Sequence, residues 1–395
     1  MASSTTGTRA PFWLVVLITI SGTLAMHMFV PALPDATGDF GANIATMQMT
    51  ISLYIFGLAV GQLIYGPLSD SFGRRPLLLI GLGVYTVAGL AAALASSAYP
   101  LITARLCQAL GGCAGLALGR AIVRDTAPAS EAVRDFALLS VMMMVSSGVA
   151  PLTGSLLSAT FGWRSIFALL AAFGAVTLAF TWRLLPETAS PTGSIKIATL
   201  RRDYGLLLRS ASFVGFTLGG GCATTSIYAF IAAAPFIVSV ELHRPVHEAG
   251  LYIALIIVGM PLGNTLMRHL IRKVAVERIL IGGCAVSVLS AFALLLVVLI
   301  GELTVARVFG LAFVFALGVG ISSPAALAKA LAVDAKVVGS AAGLYGFSQM
   351  AVAGVCTSLV GIGQSTALVT ATVLSAAAAL GQACFWLALR WQHGR

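Results

Sequence analysis

Charge is what this sequence has least of. Asp, Glu, Lys and Arg together supply 9% of its 395 residues, while 59% are hydrophobic. Soluble domains carry about a quarter charged residues, so a water-soluble globular fold is excluded. The acids are especially sparse. None of the thirteen Asp and Glu residues falls deep inside an apolar stretch. Cysteine chemistry is missing too. Cys107, Cys113, Cys222, Cys284, Cys356 and Cys384 all lie in apolar stretches, without a C-x-x-C pair or metal-ligand spacing. No disulfide, metal site or other cofactor is expected from them. There is no Walker A loop, no G-x-S-x-G and no H-E-x-x-H. ATP hydrolysis and hydrolytic catalysis therefore have no residues to run on, and the chain reads as no enzyme. Aromatic-basic nucleic-acid motifs are also absent, despite a net charge of +10.

What is present is a series of apolar runs separated by short charged islands, with a mean hydropathy of +1.00. The runs are about 20 residues long, the length of a helix across a bilayer core. Lipid leaves backbone groups unpaired unless they pair internally, so spans are helices or barrel strands. The alternating ten-residue pattern of barrel strands is not seen. Twelve helical spans are marked, at about 12–33, 44–65, 77–97, 101–123, 136–158, 164–185, 211–237, 248–268, 278–300, 304–328, 337–360 and 366–390. The first is too long for a secretory signal and has no small-residue cleavage site. The longest polar gap divides the chain into an N-terminal bundle (1–185), a linker (186–210) and a C-terminal bundle (211–395). With the N-terminus inside, nineteen Lys and Arg residues fall on the inner side and three on the outer. The positive-inside rule then puts both termini in the cytoplasm. The fold class is an all-α integral membrane protein of two pseudo-symmetric six-helix bundles.

A few residues break the apolar pattern. Arg105 sits inside span four, where a charge costs several kcal/mol and marks a cavity or bundle interior. Gln108, Gly111, Gly112 and Gly115 follow it, a polar pair on a face small enough for close helix packing. His27 lies deep in span one and is the best candidate proton carrier. Gly148, Pro151 and Gly154 in span five predict a kinked hinge or seal. Tyr54, Gln62, Tyr228, Tyr345 and Gln349 are isolated polar or aromatic groups that could line a substrate cavity. Between spans two and three, Gly66, Asp70, Gly73, Arg74 and Arg75 make a tight charged turn, with both glycines permitting it. Asp125 ends span four on the same side.

These residues resemble a known family. Gly66-x-Leu68-x-Asp70-x-x-Gly73-Arg74-Arg75 is similar to the loop signature of the major facilitator superfamily. Arg105 with Gln108 and Gly111/Gly112 resembles its helix-four motif, and Gly148-x-x-Pro151-x-x-Gly154 its helix-five antiporter motif, with Ala150 where glycine usually precedes the proline. Val30-Pro-Ala-Leu-Pro34, Arg120-Ala-Ile-Val-Arg-Asp125, Phe161-Gly-Trp-Arg-Ser-Ile-Phe167 and Gly339 to Gln349 resemble the bicyclomycin-resistance (Bcr/CflA) drug exporters. The resemblance implies proton-coupled export of small, often apolar toxic compounds from a bacterial inner membrane, by a monomer whose partners are substrate, protons and lipid. It implies a latch of Asp70, Arg74 and Asp125, with Asp70 also facing the start of helix eleven near Gly339. It further implies an acid in helix one where this chain carries His27. Two other readings stay open: exchange of an endogenous metabolite without proton coupling, and a membrane sensor that transports nothing.

Overall fold

The computed structural model describes residues 10–126, 129–189, 193, 197–333, 338–363 and 365–393. Within them are twelve helices long and apolar enough to cross a membrane. The first span is α1 (Phe12–Met28), a 3-10 turn at Val30–Ala32 and α2 (Leu33–Phe40). Spans two to six are α3 (Ile44–Phe72), α4 (Arg74–Ala93), α5 (Ala98–Thr126), α6 (Ala129–Phe161) and α7 (Arg164–Leu184). Helix α8 (Ile197–Arg209) connects the halves. The seventh span joins α9 (Ala211–Gly220) and α10 (Ile227–Phe236) through a π-helical turn, and a second π turn follows at Ile237–Glu241. Spans eight to twelve are α11 (Glu248–Leu270), α12 (Val276–Leu299), α13 (Val305–Leu331), α14 (Val338–Val360) and α15 (Thr366–His393). Twelve crossings bring the first and last spans to the same end of the bundle, here the termini end. The opposite end is the far end.

The expected elements differ from the observed ones in three places, each for a local reason. Span one runs on to Phe40, because Pro31 and Pro34 fall at a 3-10 turn and a first helical turn, where a missing N–H costs little. The linker is not a plain loop: α8 buries Leu207 and leaves Leu206 and Leu208 exposed. Gly66 does not make the turn between α3 and α4. It lies inside α3, and a Cβ there would meet nothing within 4 Å. Gly73 alone makes the turn, at φ +98, a region closed to most side chains.

Helices α1 to α7 pack mainly on one another, as do α9 to α15. The most extensively packed pairs, α12 with α13 and α4 with α5, press glycines against the partner's backbone. A Cβ on Gly111 would stand 2.5 Å from the Tyr85 nitrogen, and one on Gly318 would stand 2.7 Å from the Gly283 carbonyl oxygen. Apolar burial gives helices in lipid no net drive to associate, so such close backbone approach supplies it through dispersion. Two pairs dominate the join between the halves, α3 with α14 and α6 with α11, and α10 adds contacts to the 3-10 turn and α2.

Candidate functional site

The glycine face of α5 draws α1 and α4 onto it and carries Arg105 into the N-terminal half. A Cβ on Gly112 would lie 2.9 Å from Gly22 of α1. Arg105 is fully buried. Its Nη1 donates to the Ala25 carbonyl (3.0 Å) and to Gln108 Oε1 (2.8 Å). The guanidinium carbon lies 3.9 Å from the Tyr54 ring centre, and 5.6 Å from those of Phe29 and Phe167. Tyr54 is fixed by its own hydroxyl, which donates to the Gly22 carbonyl (2.8 Å). The charge is thus met by aromatic faces and carbonyl dipoles. Among the described residues, no carboxylate pairs with it, and its Nε and Nη2 have no partner.

His27 does not join this cluster. It is two residues beyond Ala25, which turns it about 200° around the helix axis. Its buried ring lies 5.9 Å from that of Tyr228 on α10, in the other half, and Nδ1 has no partner. The sequence suggested one polar core containing both groups. The structure brings Arg105 and Gln108 together and places His27 at the interface between halves.

The proposed cavity residues separate in the same way. Tyr54 stacks on Arg105 and Tyr228 meets His27. Gln62 of α3 abuts Gly346 of α14. Tyr345 and Gln349, one turn apart on α14, form a network with the π turn of span seven. Gln349 Nε2 donates to Thr224 Oγ1 (3.0 Å) and the Tyr345 hydroxyl (3.2 Å), and Thr225 donates to the Gln349 carbonyl (2.8 Å). Thr224 and Thr225 were not singled out from sequence. The signal available was the run Gly219-Gly220-Gly221 ahead of Thr224-Thr225-Ser226. Glycines weaken a helix locally, and π turns gather at such places.

At the termini end, Arg74 is buried and pairs with Asp70 (2.8 Å) and Asp125 (3.1 Å), and its Nη1 donates to Ser69. Glu187, missed from sequence, completes the turn. Its carboxylate accepts from the backbone nitrogens of Arg74 (2.8 Å) and Arg75 (3.2 Å), capping α4. Arg75 itself reaches back to the Trp182 carbonyl (2.7 Å). At the start of α14, Ser340 donates to Asp203 of α8 (3.1 Å).

At the far end the helix-five motif closes the halves on each other. Gly154 packs against the Met28 carbonyl of α1, whereas Gly148 has open space around it. The Pro151 carbonyl and Ser155 lie against Gly250 of α11. Ser155 donates to the His247 carbonyl (2.6 Å), and Ser158 to Asp35 (2.5 Å). A cleft lined by Pro31, Asp35, Ser155 and His247 remains beside this seal.

Two bundles, a guanidinium buried inside the first of them and the charged turn at one end match a family. Residues 15–358 match the sequence profile of the Major Facilitator Superfamily, and the chain belongs to it. It is a membrane transporter rather than an enzyme. An uncharacterized MFS-type transporter of Bacillus subtilis (strain 168), YdgK, is 27% identical over 382 residues, covering 95% of this chain and 94% of the relative. The multidrug transporter MdfA of Yersinia pestis (strain Angola) is 28% identical over 267 residues, 67% and 65% of the two chains. Among solved structures, a bacterial homologue of the human lysosomal transporter Spinster superposes with a TM-score of 0.73 at 16% identity, over 98% and 99% of the two chains. That likeness is one of fold.

Proposed function

We propose that this transporter exports small, apolar toxic compounds in exchange for protons, by alternating access through a cavity between its two halves. The observation that carries the reading is His27. An imidazole titrates near neutral pH, and this one is buried at the interface with Tyr228 of the opposite half and an unpartnered Nδ1. A proton placed there puts a charge between the halves, facing an aromatic ring. The charged state and an apolar ligand then exclude each other, and release of the proton readmits the ligand. The printed name of MdfA, a multidrug transporter, supports an exporter of drug-like molecules.

The other parts take roles in the same cycle. Arg105 and Gln108 hold α1 against α5, so that His27 is presented at a fixed depth. The cluster of Asp70, Arg74, Asp125 and Glu187 at the termini end, and the helix-five contact at the far end, are the two gates. Exposed ion pairs contribute about 0–1 kcal/mol; Arg74 is buried, so its pair with Asp125 holds the termini-end cluster more firmly than that. The basic residues concentrated at the termini end support a cytoplasmic location for both termini in a bacterial inner membrane. The test is proton flux in proteoliposomes. His27→Ala is expected to abolish proton movement coupled to ligand while leaving the protein folded. Unchanged coupling in that variant rules out the imidazole as carrier.

A further inference from the structure

Among the described residues, the interiors of the spans contain bases but no acid to match them. Each described Asp or Glu lies within five residues of a span end or in a connection. Arg105 and His27 are buried between them. Around the guanidinium, Nε and Nη2 of Arg105, the amide nitrogen of Gln108 and the Tyr85 hydroxyl are buried without partners. In the other half, the hydroxyls of Ser226 and Thr217 are buried and unpartnered as well. These groups can donate a hydrogen bond, while Gln48 Oε1, Asn264 Oδ1 and Gln382 Oε1 are buried acceptors without partners, so charge rather than hydrogen-bond polarity is what sets this core apart.

A cation that passes Asp35 at the far-end cleft and reaches the middle of such a core gives up its hydration and finds no described carboxylate there. It also approaches Arg105, whose field is weakly screened in a low-dielectric interior. The box of Phe29, Tyr54 and Phe167 keeps ligands off the guanidinium itself, so its influence acts at a distance. A ligand without positive charge needs no carboxylate and meets the opposite situation, a positive field that does not repel it.

We infer that the ligand carried here has no positive charge, and that organic cations of the same size and hydrophobicity are rejected. The inference rests on the proposed export of small apolar compounds and narrows their class.

Three para-substituted biphenyls, bearing a carboxamide, a carboxylate or a trimethylammonium group, separate the cases. Each is added to the purified full-length protein, with thermal stabilisation and transport into proteoliposomes as readouts. The amide and the carboxylate are expected to stabilise the protein and to be transported. The trimethylammonium compound is expected to bind at least about tenfold more weakly, because a buried cation without a partner is disfavoured. His27→Glu, which puts a carboxylate at the interface, is expected to reverse the order between trimethylammonium and carboxylate. Wild-type binding of the cation as tightly as the amide overturns the inference and leaves the export reading standing. Failure of all three to bind or move overturns the export reading, and the inference with it.

Discussion

Replacing Gly250 by alanine tests the far-end gate with a single methyl group. Its Cβ would stand 2.6 Å from the Pro151 carbonyl oxygen and 2.6 Å from Ser155 Cβ. Ordinary contact begins at 3.4 Å, so α6 and α11 must separate by roughly 0.8 Å where they now touch. The carbonyl belongs to the backbone and cannot swing aside. Ser155 Cβ is fixed to its backbone as well; only Oγ, 3.1 Å from the added methyl, can turn, and it does so by giving up its hydrogen bond to the His247 carbonyl. Overpacking costs about 1–3 kcal/mol and the lost hydrogen bond about 1 kcal/mol. Only the state with the far end closed bears these costs. At about 1.4 kcal/mol per factor of ten, the overpacking alone, about 1–3 kcal/mol, moves the equilibrium toward the far-end-open state by roughly 5- to 150-fold. Spin labels on Thr160 of α6 and Leu251 of α11, in a cysteine-free background, report the separation by pulsed electron resonance. The long-distance population is expected to rise at least about fivefold. Gly282→Ala is the control, since a Cβ there meets nothing within 4 Å. An unchanged distance distribution in folded, membrane-inserted Gly250→Ala refutes the gate.

Two further substitutions probe the buried polar groups. Arg105→Met is expected to abolish transport while leaving thermal stability within about 1 kcal/mol of wild type or higher, because an unpaired buried charge is replaced by an apolar chain of similar reach; retained flux by proteoliposome assay counts against its role. Glu187→Ala removes the acceptor for two backbone nitrogens at the start of α4, and is expected to cost about 1 kcal/mol in detergent unfolding; an unchanged midpoint shows that the cap contributes nothing.

Much of the architecture was legible because lipid imposes a simple code. A run of apolar residues long enough to cross can only be a helix, and charges collect where the helices leave the bilayer. Arg105 and His27 stood out for the same reason, as groups that lipid would not tolerate facing it. Their arrangement was another matter. Whether they meet depends on the rotation of α1 against α5, set by Gly22 against Gly112. Glu187 and Arg74 are 113 residues apart, and no local pattern links them. The π turn at Gly221–Thr225 changes which side chains face α14, and span length gives no hint of it.

The sequence by itself therefore determined the number of crossings and the family, since each follows from hydropathy and from short contiguous motifs. Tertiary structure alone decided which polar groups share a site. It set Arg105 in an aromatic box within one half, turned His27 toward the other, and used Gly250 and Pro151 to close the far end. The physical reason is that a helix shows a different face every 100°. Contacts between backbones select among those faces, and hydropathy counts do not.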